Sequence, residues 1–153
     1  MKRVLVKSVH DAFDYVMAHY YPAGLDDLAE LRDTYCVISV QDTHTGGFGV
    51  QFVENEFCKD VLTLGFDDVV EPVDGAVAFS RDMANEVIEF ILLNRDCDTL
   101  LVHCYGGQSR SMAVGAFAVK LLGGDNSRYF TEANPNRLVY DTLVEVWKER
   151  FGG

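Results

Sequence analysis

Between Leu100 and Ser111 the chain reads Leu-Leu-Val-His-Cys-Tyr-Gly-Gly-Gln-Ser-Arg-Ser, passing from apolar β-formers through two adjacent glycines into a segment that is apolar or small on most sides up to Leu122. A buried strand, a glycine turn and a buried helix in that order form one βα unit, which commits the strand to a sheet whose faces are covered by helices. In such sheets ligands gather at the carboxyl ends of the strands. The turn at 104–110 is therefore the first place to look for chemistry.

The rest of the chain repeats the alternation. Lys2 to Val6 reads as a strand, and Phe13, Val16, Met17 and Tyr20 recur at helical spacing within a helix expected over 12–20. A short helix is expected over 26–32, a buried strand over Tyr35–Val40, and a loop from Gln41 to Gly49. Asp60 to Phe66 alternates as a strand and runs into the turn-rich Asp67, Asp68, Pro72, Asp74 and Gly75. Ser80 is positioned to cap a helix carrying Met83, Ala84, Val87, Ile88, Ile91 and Leu92, a strand follows at Thr99–Val102, and a last amphipathic helix spans 138–151. The expected class is α/β, with a mainly parallel central sheet flanked by helices in three layers. At 153 residues, 48% of them hydrophobic, one domain over 1–153 is expected.

Composition narrows the partners. A net charge of −11 argues against a nucleic-acid surface and against anionic lipid, so an anionic ligand would need a local positive spot. No apolar run approaches the roughly 20 residues of a membrane helix. The start, Met-Lys-Arg-Val-Leu-Val-Lys, lacks the pattern of a signal peptide, and a cytoplasmic protein without a membrane partner is expected. Cysteines at 36, 58, 97 and 104 match no metal-binding spacing, and neither metal nor cofactor is expected. Cys36 and Cys58 adjoin apolar residues and read as buried filler.

Cys104 differs by its setting. A helix starting near Ser111 presents unpaired N–H groups and a partial positive charge to the turn. Gly106 and Gly107 let the backbone of Tyr105, Gly106, Gly107, Gln108 and Ser109 curl around an anion. Arg110 adds a planar fork that matches two phosphate oxygens. The same surroundings favour the thiolate, the reactive form of cysteine, and Ser111 is placed to donate to the sulfur as it leaves. An inert thiol beside a surface arginine is the bland alternative. Yet His103, Cys104, Gly107, Arg110 and Ser111 coincide by chance in fewer than about one chain in ten thousand.

This pattern, His-Cys-x-x-Gly-x-x-Arg followed by Ser, resembles the signature of the protein tyrosine phosphatases, and its Gly-x-Ser-Arg-Ser ending resembles the small dual-specificity members. Gly106 stands where that family often has alanine, and Gln108 where an apolar residue is frequent. The resemblance implies a phosphomonoester hydrolase working through a phosphocysteine, with Cys104 as nucleophile, Arg110 as clamp and His103 supporting the loop. It also implies an aspartate on a loop some 30 to 40 residues earlier, which serves as general acid and then base. Asp68 is the first choice, with Asp67 and Asp74 as alternatives. The implied substrate is phosphorylated, a phosphoprotein in the first instance.

Asn134-Pro135-Asn136 before Leu143 resembles the family's Pro-Asn segment, but Thr142 stands where a glutamine is frequent, and Asn136 reads as a helix cap or turn residue, with Asn134 an equal candidate for the cap. The glycine-rich 42–49 segment reads as a plain loop or a substrate-recognition loop. Two other readings stay open: a module that binds phosphorylated partners without hydrolysis, and a sulfurtransferase, which rarely requires the Arg-Ser ending.

Overall fold

A computed structural model of the chain describes residues 1–21, 33–43 and 52–152. The helix expected over 26–32 and the loop beyond Thr43 lie outside the described residues. Among the described residues five helices and four strands follow in the order β1 (Arg3–Ser8), α1 (Val9–Tyr20), β2 (Tyr35–Gln41), β3 (Cys58–Gly65), α2 (Arg81–Leu93), β4 (Thr99–Cys104), α3 (Arg110–Leu121), α4 (Arg128–Thr131) and α5 (Arg137–Phe151). The strands form one sheet in the order β1-β4-β2-β3, and all pairings are parallel, so the expected mainly parallel sheet is wholly parallel among the described residues.

Side-chain alternation along the strands separates two cores. Cys36, Ile38, Val40, Leu100, Val102 and Cys104 face the layer formed by α2, α3 and α5, where Val87, Ile88, Ile91, Phe117 and Leu143 fill the interior. Val37 and Leu101 face the other way, onto Ala12, Val16 and Tyr20 of α1. Because β2 and β4 are covered on both faces, nearly every residue in them is buried, which explains their continuous apolar runs. The period of two also sends His103 and Cys104 to opposite faces.

Caps set the helix boundaries. Ser8 accepts from the Asp11 amide at 3.1 Å and starts α1 three residues earlier than its apolar spacing suggests. Ser80 caps α2 as expected, accepting from the Met83 amide at 3.2 Å. The single turn α4 has no periodicity of its own and escapes sequence reading. At Gly115 an added Cβ would meet Val6 Cγ2 at 2.3 Å, so this glycine lets α3 lie directly against β1. That close packing brings the start of α3 to the carboxyl edge of the sheet.

Candidate active site

Parallel strands all end on one edge, and here that edge collects Ser8 at the end of β1, Asp42 after β2, Phe66 to Asp68 after β3 and Cys104 at the end of β4. β4 runs on past the β-rich Thr99–Val102 through His103 and Cys104, so the sulfur is carried by a rigid element. Tyr105 to Ser109 then turn back into α3. The Tyr105 carbonyl accepts from the Val9 amide at 3.3 Å, and Gly107, with φ of 69°, sits so close to β1 that a Cβ would lie 2.4 Å from both Lys7 C and Ser8 N. Only glycine fits there. Gly106 has open space around its would-be Cβ, so the alanine frequent in the resembling family fits this backbone as well.

Within the turn, the Gly107 amide donates to Cys104 Sγ at 3.2 Å, and Ser111 Oγ lies 3.0 Å from the same sulfur. Cys104 is buried at 3% exposure, while Tyr105, Gly106 and Gln108 are exposed around it. The other three cysteines stand in contrast. Burial pushes the thiols of Cys36 and Cys97 up and that of Cys58 up to about 11, which keeps them protonated and inert at neutral pH. None of the three receives an amide N–H at its sulfur among the described residues.

Helix α3 opens at Arg110 with Ser109 at the N-cap, yet Ser109 makes no side-chain bond to the first turn. The first amides of the helix are thus left to whatever anion occupies the turn. The Ser109 hydroxyl donates instead to Asp68 Oδ1 at 2.8 Å. Arg110 is buried, and its Nη1 donates to Asp42 Oδ1 at 2.7 Å and to the Phe66 carbonyl at 2.9 Å. With Nη1 used in this way, Nε and Nη2 are the donors left for a pair of ligand oxygens among the described residues.

The three candidate aspartates separate cleanly. Asp67 is turned inward, accepting from Thr43 Oγ1 at 2.8 Å on both carboxylate oxygens and from the Val77 amide at 2.7 Å. Asp68 is exposed and reaches the cysteine turn through Ser109, whereas Asp74 is exposed in the following turn and makes no hydrogen bond to it. Of the two candidate caps, Asn134 and Asn136, it is Asn136 that caps α5, its Oδ1 accepting from the Val139 amide at 3.1 Å. It does more than cap, because its Nδ2 also donates to Asp68 Oδ1 at 2.8 Å. His103 is fully buried beside the Phe52 ring at 5.4 Å, with Nδ1 3.5 Å from the Cys104 carbonyl, and burial holds its pKa down to about 4. It is neutral at pH 7 and faces away from the sulfur.

Sequence reading did not single out Asp42, nor foresee the second role of Asn136. Asp42 carried one usable signal: it is an acidic residue directly after a buried parallel strand, the same kind of position that marked Asp68. No group of three or more metal-binding side chains is found among the described residues.

No family model matches the sequence, and no curated protein matches it. Solved structures do. The human tyrosine phosphatase-like serine/threonine/tyrosine-interacting protein superposes with a TM-score of 0.59 at 16% identity, covering 100% of both chains. Human DUSP28 gives 0.55 at 16% identity over 97% of this chain and 94% of its own. PTPMT1 in complex with PI(5)P gives 0.56 at 14% identity over 97% and 92%.

The fold is that of the tyrosine and dual-specificity phosphatases.

The match to these structures of phosphatase fold spans 92 to 100% of their own length, and among the described residues the sheet is all parallel. No described helix is long and apolar enough to cross a membrane.

Proposed function

We propose that the protein is a cysteine-dependent phosphomonoester hydrolase of the protein tyrosine phosphatase superfamily, close in kind to the small dual-specificity enzymes, and that it acts in the cytoplasm on a phosphorylated substrate, a phosphoprotein first. The observation that carries this reading is the sulfur of Cys104 receiving an amide N–H from Gly107 at 3.2 Å at the uncapped start of α3, beside a buried arginine. An amide donor and a positive helix end stabilise a thiolate and, equally, the oxygens of a phosphoryl group.

In the proposed reaction the Cys104 thiolate attacks phosphorus, and the bond from phosphorus to the ester oxygen breaks. The Arg110 fork and the amides of 105–111 hold the non-bridging oxygens, and Asp68 gives its proton to the departing oxygen. Water then attacks the phosphocysteine while Asp68 takes a proton back. The sulfur leaves as a thiolate with Ser111 donating to it, and inorganic phosphate is released. His103 stays neutral and supports the loop from behind.

The purified protein is expected to hydrolyse aryl phosphates without added metal and to be inhibited by vanadate. Cys104→Ser abolishes turnover and keeps substrate binding. Asp68→Ala costs about 100-fold or more on a poor leaving group and far less on a good one, whereas Asp67→Ala shows no such dependence on the leaving group. Activity that needs a divalent cation and survives Cys104→Ser would overturn the mechanism. A second reading, a phosphate-binding module, draws support from the likeness to a protein named as phosphatase-like and interacting. Tight vanadate binding with no turnover would establish it.

A further inference from the structure

The general-acid role proposed for Asp68 poses a geometric problem, because Asp68 stands on the irregular connection between β3 and α2, where no strand or helix fixes its side chain. Two donors do so instead. Asn136 Nδ2 and Ser109 Oγ both donate to the same carboxylate oxygen, Oδ1, each at 2.8 Å. Asn136 is itself held on every side. It is 3% exposed, its Oδ1 caps α5 through the Val139 amide, its Nδ2 donates a second time to the Val69 carbonyl at 3.1 Å, and its own amide donates to the Ser109 carbonyl at 3.1 Å. One residue therefore ties together the cysteine turn, through its backbone amide, and the acid loop and the last helix, through its side chain.

We propose that Asn136 is a positioning residue for the reaction: together with Ser109 it anchors Asp68 by Oδ1, so that the proton is carried and delivered by Oδ2 alone. The inference rests on the phosphatase reading and on Asp68 as its acid. An oxygen that already accepts two hydrogen bonds has little room for a proton of its own. The acidic hydrogen is thereby assigned to the other oxygen, and rotation about the carboxylate axis is stopped. Proton transfer requires hydrogen-bond reach to the leaving oxygen, and misplacement by about 1 Å can cost about 100-fold. A loop aspartate without this anchor would sample many orientations for each productive one. Cap and clamp are joined in one residue, so the acid is indexed to the α5 terminus.

The test compares kcat/KM on a series of phosphate monoesters, from para-nitrophenyl phosphate to phenyl and alkyl phosphates, for wild type, Asp68→Ala, Asn136→Ser and the double variant. Serine is a good N-cap and keeps the bond to the Val139 amide, but it is too short to reach Asp68. Asn136→Ser is expected to lose about 10- to 100-fold on poor leaving groups and about twofold or less on para-nitrophenyl phosphate, with a steeper dependence on leaving-group acidity. The double variant is expected to be no worse than Asp68→Ala, since Asn136 acts through that carboxyl group. Equal loss across the series, or none, overturns the inference. Should Asn136→Ser fold poorly by thermal melt, Asn136→Asp keeps the cap, replaces the donor with an acceptor and must show the same selective loss. If Asp68→Ala itself leaves the leaving-group dependence unchanged, the acid assignment falls and this inference with it. If Asp68→Ala steepens that dependence and the Asn136 variants do not, only the positioning role is lost.

Discussion

Arg110 is held at one corner of its guanidinium by Asp42, with Nη1 2.7 Å from Oδ1 and the arginine side chain 8% exposed against 29% for the aspartate. The Phe66 carbonyl takes the second hydrogen of the same nitrogen. A long side chain loses much rotamer freedom when it binds a ligand, and an arginine already fixed at Nη1 has less to lose. The pair thus orients the rest of the fork toward the turn while offsetting part of the charge of a buried cation.

Removing the partner should therefore weaken binding without touching the bond-making atoms. Asp42→Ala is expected to raise KM for aryl phosphates by about tenfold, to raise the inhibition constant for inorganic phosphate by a similar factor and to lower stability by about 1–3 kcal/mol. Asp42→Asn keeps an oxygen for Nη1 and is expected to lose less in both respects. Steady-state kinetics with phosphate as inhibitor, together with urea unfolding, check it. An unchanged KM in Asp42→Ala would mean that the Phe66 carbonyl alone is enough to fix the fork.

The adjacent glycines of the turn should respond very differently to one added methyl group. Gly107 is at φ 69° with the backbone of Lys7 and Ser8 2.4 Å from its would-be Cβ, whereas Gly106 has nothing within 4 Å. Gly107→Ala forces the turn away from β1 and withdraws the amide that donates to Cys104, and the expected result is a loss of activity of about 100-fold or more with a lower Tm. Gly106→Ala is expected to stay within about 0.5 kcal/mol of wild type and to keep its activity. Parallel thermal melts and aryl phosphate assays on the two variants make the comparison. Equal tolerance at both positions would mean that the turn can lift off β1 at little cost.

His103 supplies a pH dependence with a definite sign. Its folded pKa is lowered to about 4, chiefly by burial, with the backbone contact to Cys104 pulling the other way. The unfolded chain takes up a proton at this residue from about pH 6.5 downward, while the folded protein does not until about pH 4. Stability from this group is complete above pH 6.5, falls as the pH drops through that window, and changes no further below it. The total is on the order of 3 kcal/mol. Urea midpoints measured from pH 7 to pH 4 should fall more steeply for wild type than for His103→Gln, which has no proton to take up. Parallel curves would show that the histidine is protonated or solvated in the native state.

Much of this protein follows from local chemistry. The βα unit around Cys104 was legible because β-forming apolar residues, two glycines and a helix-forming run must succeed one another to build it, and each leaves its own mark on the sequence. Ser80 was legible as a cap, and Asn136 as one of two candidates with Asn134, because N-capping depends on a side chain and an amide only three residues apart, as the bonds to Met83 and Val139 show. The parallel character of the sheet followed from strands alternating with helices.

Tertiary structure decided what depends on separation in sequence. Asp67 and Asp68 are chemically identical neighbours, and nothing local says which one turns inward. That choice came from Thr43 and Val77 on one side and from Ser109 and Asn136 on the other, at separations of 10 to 68 residues. The Asp42–Arg110 pair spans 68 residues and arises only because β2, β3 and β4 end on the same edge. Gly107 and Gly106 look alike in the sequence until β1 passes against one of them. Local propensities are written within a few residues and can be read there, whereas the orientation of a side chain toward a distant partner exists only once packing has brought that partner within reach.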